Sequence, residues 1–114
     1  LPKGYEFPSN VWLGATVENQ SAADKRLKHL LQFKTPAVRF LSCEPLLGPL
    51  DLSRWLQVGE LGTRVDWVIA GGESGPGSRP MDPKWPDDLR QQCNRTGVAF
   101  HFKQWGHWAP LGRH

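Results

Sequence analysis

Three glutamates follow three apolar segments of this sequence, and a lysine takes the corresponding place in a fourth. These residues are Glu18 after segment 11–17, Glu44 after segment 38–43, Glu73 after segment 65–72, and Lys103 within segment 99–105. Carboxylates that lie close together repel one another, which raises the pKa of at least one of them and suits it to general acid or base chemistry. Lys103 and Arg79 are available to offset that repulsion. We therefore predict a catalytic group of Glu18, Glu44, Glu73 and Lys103, with strand-end glutamates that only cap helices or form ion pairs as the structural alternative.

The spacing of these four residues indicates the elements that position them. They recur at intervals of about 30 residues, the length of a strand, a crossover helix and the next strand in a parallel sheet. Such crossovers are right-handed in about 98% of cases. Since the loops at the carboxyl ends of parallel strands build the ligand site in barrels and in open sheets, all four side chains are expected at one edge.

Helices are expected between the strands. Ser21 with Asp24 three residues later resembles a capping box for the first helix. Residues 51–56 read as a short helix in the second crossover. In the third crossover, Asp82 is expected to cap a helix that ends at Gly97.

Alternation along the strands separates a mixed face from an apolar face. The mixed face holds Thr16, Ser42 and His101 near its top, whereas the other parity holds residues such as Leu41 and Val68. This asymmetry favours part of a barrel over a sheet covered on both sides. We predict an α/β fold with a four-stranded parallel sheet, as part of a TIM-type barrel.

Length and composition limit the domain organisation. The 114 residues suffice for one domain (1–114, with an irregular tail at 106–114), whereas a complete eightfold barrel needs roughly 250. The net charge of +3 comes from 14 basic and 11 acidic residues that are interleaved, without the charge block of a nucleic-acid-binding tail. No segment reaches the length of about 18 apolar residues of a membrane span.

The two cysteines, Cys43 and Cys93, do not have CxxC spacing, so the sequence predicts neither a metal site nor a disulfide framework. Buried, reduced thiols in a cytoplasmic protein are the expected state. An adjacent carboxylate, Glu44, is expected to raise the pKa of Cys43 rather than activate its thiol.

A glycine-rich loop from Gly71 to Arg79 follows the third strand. It has four glycines, two serines and an arginine, a composition that lets backbone N–H groups approach an anion. The glycines alternatively supply only turns with positive φ. The candidate cofactor-binding residues are Ser42, Gly71, Gly72, Glu73, Ser74 and Arg79.

Tryptophan is the basis of a second hypothesis. Among six tryptophans, Trp105 and Trp108 are candidates for stacking on a base, or else form a lid on a small core. Trp12 and Trp67 are interpreted as packing residues, and His101 and His107 as structural histidines. A non-enzymatic nucleic-acid-binding module is thus one alternative function, and its affinity would fall steeply with salt. A hydrolase that uses the carboxylates is another, with a bell-shaped pH profile.

Four motifs carry a resemblance to a known family. They are VWLGATVENQ (11–20), RFLSCEPLLGP (39–49), DWVIAGGESG (66–75) and FKQWG (102–106). In this order they resemble a family of phage and prophage proteins of uncharacterised function, whose members resemble radical S-adenosylmethionine enzymes with three cysteines near the start for an iron–sulfur cluster.

This resemblance implies that the chain corresponds to the C-terminal half of a partial βα barrel and begins after the cysteine trio. S-adenosylmethionine is the implied cofactor, the cluster belongs to the missing N-terminal part, and the chain alone is expected to be catalytically silent. The stretch Gly71-Gly72-Glu73 resembles the one that holds the methionyl amino group in radical enzymes. Because it follows a late strand here, Glu73 is expected to face the methionyl carboxylate side or a substrate, which is a small molecule or a macromolecule.

Overall fold

Short apolar and β-branched runs form the four strands of one parallel sheet. The computed structural model describes residues 5–8, 10–34 and 38–106. The strands are β1 (Trp12–Thr16), β2 (Val38–Cys43), β3 (Trp67–Gly71) and β4 (Ala99–Gln104). All neighbouring pairs are parallel, in the order β1-β2-β3-β4. The predicted four-stranded parallel sheet is confirmed, and only β2 has the full length of its apolar run.

The two faces of the sheet differ as the alternation predicts. Leu41, Cys43 and Val68 lie on the covered face and are fully buried in the hydrophobic core. On the opposite face, Phe40 is half-buried and Trp12 is 56% exposed. Within the described residues the sheet is open, with β1 and β4 as its edges, so barrel closure is not part of the observed fold.

The first helix, α1 (Gln20–Leu30), has its N-cap two residues before the predicted cap Ser21. Asn19 is the N-cap: its backbone is extended, and its Oδ1 accepts a hydrogen bond from the Ala22 N–H at 2.9 Å. The prediction of Ser21 as the cap was wrong, because Asn19 reaches the free N–H groups of the first turn and places Ser21 inside the helix. Ala23, Leu27 and Leu30 form the buried face of α1.

The second helix, α2 (Lys84–Thr96), ends at Gly97 as the sequence predicts, and it begins one residue later than expected, with Pro83 at the N-cap position instead of Asp82. Asp82 Oδ1 accepts a hydrogen bond from the Lys84 N–H at 2.9 Å, and Pro83 has helical backbone angles. Gly97 ends the helix in the left-handed conformation, with φ of 73°. Proline suits the first turn because it has no N–H to satisfy, and glycine adopts positive φ without a steric cost. No helix in the described part of the chain is long and apolar enough to cross a membrane.

The crossover between β2 and β3 contains no helix. Residues 51–56, predicted as a short helix, form a turn instead. Most apolar side chains of this crossover are nevertheless buried in the core, whereas Val58 and Leu61 are exposed. The buried ones are Leu46, Leu50, Leu52, Trp55, Leu56 and Val65. Gln92 of α2 fixes the turn, since its Oε1 accepts a hydrogen bond from the Leu52 N–H at 2.8 Å and its Nε2 donates to the Leu50 carbonyl at 2.7 Å. Hydrogen bonds from the Gln92 side chain thus take the place of the backbone hydrogen bonds that a helix would form in this crossover.

Candidate functional site

The strand ends form one continuous edge of the sheet. The N–H of Leu47 donates to the carbonyl of Glu18 at 2.9 Å, and the N–H of Leu46 donates to the carbonyl of Gly71 at 3.0 Å. The segment after β2 therefore bridges the ends of β1 and β3. Because the strands are parallel, Glu18, Glu44, Glu73 and Lys103 lie at this same edge.

Each of the three glutamates has its own cationic partner. Oε2 of Glu18 lies 3.2 Å from Arg26, Oε1 of Glu44 lies 3.1 Å from Lys103, and Oε2 of Glu73 lies 2.8 Å from Arg79. In residues 5–8, 10–34 and 38–106, no group of three or more His, Cys, Asp or Glu side chains could hold a metal ion. The edge is thus a row of ion pairs rather than a cluster of repelling carboxylates.

Arg26 is a residue of this edge that the sequence reasoning missed. It lies in the second turn of α1, where its guanidinium contacts both the Glu18 carboxylate and the Thr16 carbonyl. The helix begins directly after Glu18 and runs back along the sheet, so its second turn returns to the end of β1. The sequence feature that could have revealed this ion pair is a basic residue, Arg26, eight positions after the strand-end glutamate Glu18.

Glu73 closes the glycine-rich loop on itself. Its Oε1 accepts hydrogen bonds from the Arg79 backbone N–H at 2.9 Å and from the Arg79 Nε at 3.0 Å, while Oε2 accepts from Nη2. These hydrogen bonds lower the pKa of Glu73 from 4.5 to about 2. The direction is opposite to the raised pKa expected for repelling carboxylates. Ser74 is tied to β4, because its Oγ accepts a hydrogen bond from Gln104 Nε2 at 3.1 Å.

We expect the Glu73–Arg79 pair to resist acid. Because the folded-state pKa is depressed, this pair stabilises the fold fully above the ordinary value of 4.5, and its contribution is lost as the pH falls towards 2. A carboxyl carbon-13 NMR titration of Glu73 should have its midpoint near 2, and Arg79→Gln should return it towards 4.5. A wild-type midpoint near 4.5 would contradict the bidentate contact.

Gly71 and Gly72 pack against the chain itself. A Cβ on Gly71 would lie 2.6 Å from Glu44 Oε2, and a Cβ on Gly72 would overlap the carbonyl of Trp105. The N–H of Gly72 already donates to the Gln104 carbonyl at 2.9 Å. Close approach of neighbouring groups therefore explains both glycines, and the Gly72 N–H is engaged within the protein.

Glu44 differs from the other two glutamates because one of its oxygens has no partner. Oε1 contacts Lys103 Nζ, whereas Oε2 is buried beside Gly71 without a hydrogen bond to any described residue. The side chain as a whole remains 23% exposed. A buried acceptor without a donor costs about 1–3 kcal/mol, and more when it is charged. A ligand donor at this edge would pair this oxygen once the partly exposed carboxylate turns it outwards.

Ser42, the remaining candidate residue, lies on the open face of the sheet. It lines a cavity of about 200 Å³ together with Gly14, Ala15, Thr16 and Phe40. This cavity lies at the carboxyl ends of β1 and β2. By alternation, it is on the same face of the sheet as Glu44. Thr16 was not predicted as a site residue, although the alternation placed it on this face, and Phe40 lies on the same face as Ser42, two residues away along β2.

Of the two tryptophans considered for stacking, the structure describes only Trp105. Trp105 is half-buried, with its ring 4.7 Å from that of Phe102, while His107 and Trp108 lie outside the described residues. Trp12, interpreted from the sequence as a packing residue, is instead largely exposed and contacts Trp67 edge-on at 5.8 Å. The reason is that the open face on which Trp12 lies has no covering element in the described part of the chain.

Both cysteines are buried and free. Burial raises the pKa of Cys43 to about 12, with smaller contributions from Cys93 and Glu18, and burial raises the pKa of Cys93 to about 11. Neither thiol is a nucleophile at neutral pH, because only the thiolate reacts. The sequence interpretation of Cys43 as an unreactive buried residue agrees with its burial, but burial rather than Glu44 is the main cause of the shift.

The architecture and the edge define an α/β protein with a four-stranded parallel sheet and a row of strand-end ion pairs. The chain belongs to a family of proteins of unknown function, DUF5131, which matches residues 2–114. Neither a curated protein nor a solved structure has a significant match to it.

Proposed function

We propose that the carboxyl-end edge of the sheet binds a small molecule through an ammonium group, with Glu44 as its acceptor. The observation that carries the proposal is the buried Oε2 of Glu44, which has no donor among the described residues. An ammonium group supplies three N–H donors and a positive charge, so it matches an ionised carboxylate oxygen better than a neutral hydroxyl does.

S-adenosylmethionine is the ligand that the sequence resemblance suggests for this edge. Its α-amino group is an ammonium ion at neutral pH, as Glu44 requires. Glu73 and Arg79 fit a direct role less well, since each already satisfies the other. In this proposal Glu44 holds the amino group, Lys103 faces the carboxylate of the same amino acid moiety, and the Glu73–Arg79 pair keeps the adjacent loop in place. The chemistry of a radical enzyme would come from a cluster bound elsewhere in a larger barrel.

Calorimetric titration of S-adenosylmethionine into the wild-type chain and Glu44→Gln tests the proposal. We expect Glu44→Gln to weaken binding by about 10- to 100-fold, the range for one hydrogen bond to a charged group. 5′-Methylthioadenosine lacks the amino acid moiety and should bind equally to both proteins. The comparison separates loss of the ammonium contact from general damage to the site.

Glu60→Gln is the matched control, because Glu60 is an exposed carboxylate in the loop before β3 and its replacement changes the net charge by the same amount. It should leave the affinity for S-adenosylmethionine unchanged. Equal affinity of wild type and Glu44→Gln for this ligand would refute the role of Glu44. Binding of polynucleotides with a steep salt dependence, and no binding of S-adenosylmethionine, would instead favour the nucleic-acid hypothesis.

A further inference from the structure

The outer side of β4, away from β3, has no partner strand in the described sheet. The N–H of Ala99 donates to the carbonyl of Asp66 at 3.3 Å, so Ala99 and His101 direct their backbone groups towards β3. By alternation, Phe100 and Phe102 direct their N–H and carbonyl groups outwards, where no strand among residues 5–8, 10–34 and 38–106 pairs with them. A strand side of this kind is a template for pairing with another extended chain.

The same two phenylalanines line an apolar groove between β4 and α2. Phe100, Phe102 and Trp105 line the groove from the sheet, and Pro83 and Pro86 line it from the start of α2. Its volume is about 280 Å³, compared with about 150 Å³ for an engineered cavity that binds benzene, so one or two aliphatic side chains fit. Successive side chains of a strand point to opposite faces. Every second side chain of a strand added to β4 would therefore enter the groove.

The charges around β4 define the chemistry of the added chain. The two charged residues that line the groove, Asp87 and Arg90, pair with each other at 2.9 Å, so the groove favours a neutral, apolar side chain. On the opposite face of β4, His101 and Lys103 are exposed, and β4 contains no acidic residue. Lys103 contacts Glu44 through Nζ, which has three N–H donors and can bind a second carboxylate. Because opposite charges on neighbouring strands stabilise their pairing, the alternate side chains of the added strand should be acidic.

We infer that the outer side of β4 binds an extended acidic peptide segment, whose apolar side chains enter the groove and whose carboxylates face His101 and Lys103. The orientation is antiparallel, because antiparallel pairs are slightly more stable per residue than parallel ones. In this binding mode main-chain hydrogen bonds provide affinity, and pockets for alternate side chains provide specificity. The inference goes beyond the proposed function, since it concerns a peptide partner at the side of the sheet and requires no small molecule at Glu44.

The experiment is an NMR titration with the acetylated and amidated peptide Glu-Leu-Glu-Leu-Glu. We expect saturable shifts of the Phe100 and Phe102 amide signals and slower hydrogen exchange at both, because each N–H gains an acceptor. The amides of Gly14 and Thr16 are the internal control. They point away from β2 on the other outer strand, since the intervening pattern continues to Val17, whose N–H donates to the Ser42 carbonyl. Their signals and exchange rates should not change.

Variants of the peptide test each part of the recognition. N-methylation of both leucines removes the two donors that face β4 and should abolish binding. Replacing both leucines with alanine empties the groove and should weaken binding by about tenfold or more. The peptide Lys-Leu-Lys-Leu-Lys keeps the apolar side chains but reverses the charge, and it should bind about tenfold more weakly than the glutamate peptide.

A charge substitution in the protein provides the complementary test. His101→Glu changes an exposed residue of β4 and should weaken binding of the glutamate peptide by about two- to fivefold, while strengthening binding of the lysine peptide. His29→Glu is the matched control, because His29 is an exposed histidine in the last turn of α1. It should leave both affinities unchanged.

Three results would overturn the inference. Unchanged exchange at Phe100 and Phe102 at the highest peptide concentration, or equal affinity of the N-methylated peptide, would refute strand addition. Equal affinity of the glutamate and lysine peptides would refute an acidic partner. Slow exchange at both amides before any peptide is added, together with a concentration-dependent dimer in sedimentation, would assign the outer side of β4 to a second copy of the chain.

Discussion

Replacing Arg39 with methionine is expected to lower the free energy of unfolding by about 2–4 kcal/mol. Arg39 is buried, and its guanidinium donates hydrogen bonds to the carbonyls of Phe33 and Lys34 and lies 3.6 Å from Asp66 Oδ2. Methionine retains most of the packing of the side-chain stem but provides no donor. Two carbonyl groups and part of a carboxylate then lose their partner at the end of the sheet opposite the candidate site.

Urea melts measure this loss, and Arg64→Met is the control. Arg64 lies 3.9 Å from the same Asp66 and donates one hydrogen bond to the Thr96 carbonyl at 3.1 Å, but its side chain is one-third exposed, so its removal should cost about 1 kcal/mol. Equal losses for the two variants would contradict the larger contribution expected of the buried Arg39 guanidinium. Ligand binding should be unaffected in Arg39→Met at a temperature where the protein remains folded, because the contacts lie far from the strand ends.

The strands and α2 could be predicted because their signals are local. Apolar runs with Val, Leu and Ile specify the two buried central strands, β2 and β3, and Asp82, Pro83 and Gly97 mark the limits of α2 within a few residues of it. The cap of α1 was misassigned because Asn19 and Ser21 are both good capping residues. Only the end of β1, which fixes where the chain turns, decides between them.

The crossover between β2 and β3 could not be predicted from its own residues. Its turn is held by Gln92, 40 residues further along the chain, and no local pattern reports a contact at that distance. Arg39 is a similar case. It lies on the covered face, where alternation predicts an apolar residue, and its partners at residues 33 and 34 precede the strand.

For the candidate site, the sequence predicted where the glutamates lie better than it predicted which cation each of them pairs with. The parallel sheet brings the strand-end glutamates to one edge, as their spacing indicates. Which cation each one meets depends on the return path of α1 and on Lys103, which is 59 residues from Glu44. The packing of Gly72 against Trp105 depends on a register irregularity between β3 and β4 near Gly71. The amino-acid composition of a strand does not reveal a one-residue change of register. From the sequence alone, a glycine that makes room for the protein's own backbone therefore cannot be distinguished from a glycine that makes room for a ligand.

Replacing Gln92 with alanine is expected to lower the free energy of unfolding by about 2–4 kcal/mol. The amide of Gln92 is buried and satisfies both the Leu52 N–H and the Leu50 carbonyl, and its Nε2 also contacts Asp88 Oδ2 at 2.8 Å. Alanine leaves a buried donor and a buried acceptor without partners, each at a cost of about 1–3 kcal/mol. The crossover has no helix in which these two backbone groups could otherwise pair.

Gln91→Ala is the matched control. Gln91 is the preceding residue of α2 and is exposed, and among the described residues its side chain hydrogen-bonds only to Asp87. Its removal should change stability by less than about 0.5 kcal/mol in urea melts. The Gln92→Ala protein should also exchange the Leu52 amide hydrogen faster than wild type does, because that N–H loses its acceptor. If the two variants were equally stable and the Leu52 amide remained protected, the leucines of the crossover would hold the turn by packing alone, and Gln92 would not replace the missing helix.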